Sequence, residues 1–325
     1  MAGALRSLRR RILVPDVAET KLAKRGFWAK NTASTELLEK VGETFLAGYA
    51  YAVEARTVAE AEERLEKVPA PFRGFAYEGA GMGVAIMDGL TLSGVPRINK
   101  LLAGRGEFHN YMIYVGIGWA MARLPRFLWP VSELLDPLLL WLVHDGYGFH
   151  QAYFHTERYV HQQHRETRFP WPTGQAGYAA RAIDQGIGRA LWFVGGTDVD
   201  QVTTLAGRFP EERRADLYSG IGLAATYAGG SSEEELRLLC ERAGQYRPQL
   251  AQGSSFAAEA RIRAGLLFPH TETATRVICG TTAERAAEIS RETRPGTAAS
   301  GHLPAYEVWR RRIADSFVSH GGVTP

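Results

Sequence analysis

At 325 residues, 45% apolar and 22% charged, the chain has the make-up of a folded globular protein with a sizeable core, which excludes a disordered or low-complexity segment. A formal net charge of +3, spread along the chain, gives no basic face of the kind that tracks nucleic acid. Two cysteines, Cys240 and Cys279, form neither a disulfide framework nor a zinc-binding spacing, and a reducing cytoplasm suits them.

Residues 1–30 read as a basic N-terminal segment. Arg6, Arg9, Arg10 and Arg11 precede only Ile12, Leu13 and Val14 before Pro15, too short an apolar run for a signal peptide. Such a segment either frays into solvent or touches an anionic surface or partner. The apolar stretch from Tyr111 to Trp129 is interrupted by Arg123 and Pro125, and Leu138–Val143 is short, so no transmembrane segment is expected.

Three stretches align without gaps, beginning at Thr57, Asp198 and Ser232. Each opens with a helix N-cap residue followed three positions later by Glu60, Gln201 or Glu235, the capping-box spacing. Gly195-Gly196 and Gly229-Gly230 precede two of these caps and end the helix before them. In the second stretch Val199, Val202, Leu205 and Phe209 share one face of a short helix, Pro210 closes it, and Leu217, Ile221, Ala224 and Ala228 form the stripe of the next. A Gly-x-Gly step falls 22 residues beyond the cap at Gly79/Gly81 and Gly220/Gly222, and 21 beyond it at Gly253, where Ser255 replaces the second glycine.

Further steps stand at Gly116/Gly118, Gly146/Gly148 and Gly186/Gly188, and successive steps are separated by 37, 30, 40, 34 and 33 residues. These intervals are those of helical hairpins that bury their apolar faces only against their neighbours. The expected fold is therefore all-α: a single domain over 1–325, built as a helical-hairpin repeat array, either a tetratricopeptide-like solenoid or a closed toroid. Thr281/Glu284 starts one more capped helix, and residues 296–325 read as an atypical C-terminal cap. Each helical glycine costs roughly 1 kcal/mol relative to alanine, so the steps either let backbones touch or clear room for a ligand.

The residue before each first glycine is Glu78, Val115, Asp145, Gln185, Ser219 or Gln252, polar in five of six. If the units stack, these side chains approach a common axis, where they satisfy one another or floor a cavity. Glu78, Asp145, Asp184, Arg189 and Asp216 are then candidate acid, base or charge-stabilising groups. His144, His150, His155, His161 and His164 crowd a short segment, and His150, Phe154, Glu157, His161 and His164 would share one stripe of a continuous helix. Such a stripe is either a divalent-metal site or a surface where Glu157 pairs with His161. His150 is the better candidate for proton transfer or substrate orientation. Tyr147, Phe149, Tyr153 and Trp192, with Phe154 and Phe193, flank the glycine steps and suit a long, unsaturated, apolar substrate, with Gln185, Ser219 and Gln252 as polar contacts. No nucleophile elbow, Cys/His pair or phosphate-binding loop stands in the sequence, and no organic cofactor is called for.

The blocks RRRILVPDVAETKLAKRGF, PFRGFAYEGAGM, YVGIGWAMARLPRFLWP, LVHDGYGFHQAYF, AIDQGIGRALWFVGGTD, DLYSGIGLAATYAGG and AQGSSFAAEARIRAG cover nearly the whole chain. They resemble the enediyne-biosynthesis family known as domain of unknown function 1702. That resemblance implies a cytoplasmic protein of an actinomycete antibiotic cluster, acting beside the iterative polyketide synthase on its linear polyene. Its partners would be the polyene, free or bound to its carrier protein, and the other cassette proteins. Two roles follow: an acid/base enzyme promoting rearrangement, cyclisation or desaturation, or a non-catalytic helical-repeat scaffold for the synthase and its companions.

Overall fold

The computed structural model describes residues 2–91, 96–130, 135–170, 176–296 and 303–319, with side chains from Leu8 onward. Of the expected terminal cap, residues 297–302 and 320–325 lie outside the described residues. The described chain is helical throughout, without a strand. Helix α1 (Ala2–Leu13) and the short α2 (Leu22–Arg25) lead into α3 (Thr32–Glu54). Shorter outer and longer inner helices then alternate: α4 (Val58–Leu65) with α5 (Ala70–Leu90), and α6 (Arg97–Ala103) with α7 (Asn110–Met121). Ahead of α8 (Leu140–Phe154) and α9 (Ala176–Val194) the described residues form only short helical turns, Arg126–Leu128 and Glu157–His161. The alternation resumes with α10 (Val199–Gly207) and α11 (Glu211–Ala228), α12 (Glu233–Ala243) and α13 (Arg247–Arg263), and α14 (Pro269–Ile278) and α15 (Ala283–Glu292) before α16 (Ala305–Ser319).

The caps stand where the spacing puts them. Thr57, Asp198 and Ser232 accept from the backbone N–H groups of Glu60, Gln201 and Glu235, and the Glu235 carboxylate closes the box on Ser232. The fourth is shifted by one: Thr282, not Thr281, caps α15 and accepts from Arg285. The left-handed Gly280, at φ 69°, ends α14, and Thr281 is needed to span the turn.

Inner helices follow one another in contact in the order α3, α5, α7, α8, α9, α11, α13, α15. The glycine steps are their joints. A methyl group at Gly116, Gly146, Gly186, Gly220 or Gly253 would overlap the carbonyl of Glu78, Val115, Asp145, Gln185 or Ser219 on the preceding inner helix. A methyl at Gly118, Gly148, Gly188 or Gly222 would overlap Val143, Ile183, Leu217 or Leu250 on the following one. Each carbonyl lies where a side chain would otherwise point, so the glycine Cα–H faces an oxygen. Such contacts are worth about 0.5–1 kcal/mol each, which offsets the propensity cost of the glycine. The steps therefore bring backbones together rather than make room for a ligand. At Ser255 the joint is wider, and the hydroxyl reaches the Ala286 carbonyl at 2.7 Å and Ser290 Oγ at 2.9 Å on α15.

The succession curls back on itself. The Arg261 guanidinium of α13 donates to the Pro71 carbonyl in the first turn of α5 at 3.0 Å and also to the Tyr227 carbonyl of α11. Phe75 of α5 meets the Tyr227 ring edge-on at 5.1 Å. On another side, residues 15–31 bridge early and late helices. Thr20 seats on Gly42 of α3, Trp28 N–H donates to the Val194 carbonyl at 2.9 Å, and Lys30 reaches Glu235 at 2.8 Å. Helix α16 packs across α13 and α15 and sends Tyr306 and Arg310 toward the interior.

Candidate functional site

Inside the curl lies a cavity of about 560 Å³, a volume that suits an organic ligand. Helices α3, α5, α7, α8, α9 and α11 wall it, and the segment around Pro15–Thr20 lies along it. Most of the wall is apolar, from Phe45, Phe75, Met82, Trp119, Phe149, Tyr153, Phe193 and Leu223. Exposed Asp16, Arg123 and His155 contribute polar groups on the solvent side.

The buried polar part is small. Glu78 of α5 and Arg189 of α9 face each other, Nη2 to Oε1, at 3.7 Å, and Arg189 Nη1 holds Asp145 of α8 at 2.5 Å. All three are buried. Burial pushes the Glu78 carboxyl up to about 7; the Arg189 charge pulls it down, and the Asp145 carboxylate pushes it up. The Trp119 indole N–H lies beside Glu78 without a formed hydrogen bond. Burial likewise pushes His150 down to about 3, against a weak contact with Gln151. His150 is therefore a neutral imidazole on the cavity wall, edge-on to Trp119 at 5.4 Å. Near neutral pH, Glu78 is a buried group in this wall poised to exchange a proton.

Of the residues singled out in sequence, Glu78, Phe149, His150, Tyr153 and Arg189 line the cavity, as do Phe154, His155 and Phe193. Asp145 stands just behind Arg189 and anchors it. The others are elsewhere. Asp184 is held by the Arg213 guanidinium at 2.6 and 3.0 Å, and Asp216 by Arg181 and Arg310, so both carboxylates neutralise buried arginines away from the cavity wall. The polar positions before the glycines do link one helix to the next. Gln185 donates to Asp145 at 2.8 Å and to Tyr306 at 3.0 Å, and Ser219 donates to Gln252 at 2.7 Å. Arg310 donates to Gln252 at 3.2 Å. Gln185, Ser219 and Gln252 thus join helix to helix and do not line the cavity, although the Gln252 Nε2 of this ladder has no hydrogen-bond partner. Trp192 is fully buried, its indole donating to the Gly229 carbonyl at 2.9 Å, and Tyr147 accepts from Gln151 at 3.0 Å.

The histidine stripe does not form. Helix α8 ends at Phe154, and residues Glu157–His161 turn as a π-helix, which takes His161 and His164 out of line with His150. His164 instead lies 3.5 Å from Glu166 and 3.0 Å from Arg158. No three His, Cys, Asp or Glu side chains converge as a metal site among the described residues. Trp119, Tyr227, Phe75 and Phe45 are wall residues that sequence reasoning passed over. Trp119 and Tyr227 stand near glycine steps, at Gly118 and five residues past Gly222, a signal that was present but unspecific.

A family model described as protein of unknown function, DUF1702, matches residues 4–317. The chain belongs to the DUF1702 family. No curated protein and no solved structure matches it. In this DUF1702 chain the matched span includes every residue that lines the cavity. Among the described residues no helix is long and apolar enough to cross a membrane.

Proposed function

We propose that this DUF1702 protein binds an elongated, unsaturated, apolar molecule in its central cavity and moves a proton on it through Glu78. The reaction class is acid/base-promoted rearrangement or cyclisation, with no net change of oxidation level. The carrying observation is one carboxyl with its pKa raised to about 7 in a largely apolar, aromatic wall. Arg189, fixed by Asp145, stabilises the charge when Glu78 gives up its proton, and Phe149, Tyr153 and Phe193 hold the chain.

The resemblance to enediyne-cluster proteins supports the linear polyene of the polyketide synthase as that molecule, in a cytoplasmic setting. We also read the inner helices as one curled repeat array, supported by glycine joints in a common register. A scaffold role has separate support in exposed Leu8, Ile12, Val17 and Trp28 along the N-terminal segment, which suit contact with the synthase or its companions.

Reconstitution separates the roles. The synthase polyene is incubated with the purified protein and with Glu78→Gln, and its mass and absorbance are followed. An enzyme converts the polyene, and the variant loses at least a hundredfold in rate. Conversion untouched by Glu78→Gln removes Glu78 from the chemistry; restoration of pathway output by that variant without any conversion supports the scaffold.

A further inference from the structure

Beyond the main cavity lies a second, smaller one of about 30 Å³, also apolar in most of its wall. The two sit at different levels of the same helices. The main cavity touches α7 and α8 in their C-terminal halves, at Trp119, Phe149 and Tyr153, whereas the small one touches them in their N-terminal halves, at Met112, Val115 and Leu142. These helices run parallel. Trp119 packs on Phe149 at 5.1 Å and on Phe154 at 5.9 Å, and the Tyr114 hydroxyl accepts at 2.7 Å from the backbone N–H of Asp136, just ahead of α8. The small cavity therefore continues the line of the main one, on the side away from the exposed Asp16, Arg123 and His155.

Three residues border both cavities: Arg189, Leu223 and Tyr227. Two of them are fixed. Arg189 is held by Asp145 and faces Glu78, and the Tyr227 ring lies edge-on to Phe75 at 5.1 Å with the Arg261 guanidinium 3.9 Å from its centre. Leu223 is held by packing alone and is only partly buried, between the buried Gly222 and Ala224 of α11. We propose that Leu223 limits the length of the apolar chain this protein accepts, its side chain dividing one apolar channel into an occupied part and a closed-off end. The inference rests on the reading of the main cavity as the site of an apolar chain and adds where that chain stops. A chain stopped there also presents a set position to Glu78, which faces the bordering Arg189 at 3.7 Å.

The test measures how the straight-chain primary alcohols from decanol to octadecanol displace diphenylhexatriene, whose fluorescence reports entry into an apolar site, from the full chain. In the parent, affinity is expected to rise about threefold to fourfold with each added methylene and then to level off. Leu223→Ala should move that limit to alcohols longer by about two carbons, the space its removed branch occupied. Leu223→Phe should move it the other way, and it reads the same limit independently where Leu223→Ala does not fold by circular dichroism. Met82→Ala, which widens the main cavity away from the small one, should weaken every alcohol and leave the limit unchanged. A limit that stays put in both Leu223 variants while diphenylhexatriene still enters, or no limit in the parent, overturns the partition and leaves the apolar-chain reading standing. If neither diphenylhexatriene nor any alcohol enters the parent, both fall.

Discussion

Glu78 sets the character of the cavity because its proton is retained by burial and only partly released by Arg189. Its folded pKa of about 7 lies above the ordinary carboxyl value of 4.5, so the folded protein holds this proton more tightly than the unfolded chain does. The resulting stability is fully present below pH 4.5 and is lost as pH rises through 7. Glu78→Gln removes that dependence. Urea unfolding at pH 5 and pH 8 should show the variant gaining about 3 kcal/mol relative to the parent between the two. Asp145→Asn acts differently, because it strips a buried guanidinium of its closest counter-charge. The expected loss is about 3–5 kcal/mol, read as a lower melting temperature before any assay of activity. Glu78, Asp145 and Arg189 were legible from sequence as polar residues in glycine-flanked helices. Asp184 and Asp216 share the same local pattern, yet they face Arg213 and Arg310 on other helices. Only tertiary packing distinguishes a carboxylate that meets an arginine at once from one that meets it loosely across an apolar space.

At the scale of elements, the joints turn a weak helix former into the means of assembly. Gly186→Ala would drive a methyl group into the Asp145 carbonyl, which is backbone and cannot step aside. Such a variant is expected to lose more than about 3 kcal/mol or fail to fold, by circular dichroism and thermal melting. Gly207→Ala is the control, since nothing lies within 4 Å of the added methyl at the end of α10; it should gain about 0.5–1 kcal/mol. The capped starts at Thr57, Asp198 and Ser232 were readable because a cap is local chemistry. The purpose of the glycines was not, because close approach and ligand clearance write the same residue. One joint escaped notice altogether. Gly48 of α3 meets the Ala76 carbonyl as the other second glycines meet theirs, but Leu46 stands where its partner glycine would be. The stripe of His150, His161 and His164 failed for the converse reason: helical spacing was assumed across a point where α8 stops.

For the molecule as a whole, two buried histidines, His109 and His150, and the half-buried His270 contribute to the response to acid. His109 and His150 are pushed down to about 3 and His270 to about 4, each chiefly by burial. The unfolded chain protonates them near 6.5, so their stability is present above that value and is lost as pH falls toward the folded values. Three protons taken up together outweigh the opposing Glu78 between pH 6.5 and 4.5, and the denaturation midpoint should fall steadily across that window. An all-helical single domain was foreseeable from the spacing of the steps, whereas the spacing left solenoid and closed toroid both open, because the contact of Arg261 with Pro71 joins positions 190 residues apart. That seam has a kinetic meaning. Neighbouring helices can zip together from short loops, while the Arg261 contact must wait for a long loop to close. Its interactions belong to the last step of folding, so Arg261→Met should accelerate unfolding while the folding rate barely changes, as the two limbs of a chevron plot would register. Because α5 and α11, which Arg261 ties together, both wall the cavity, the cavity takes its final shape only when that contact is made.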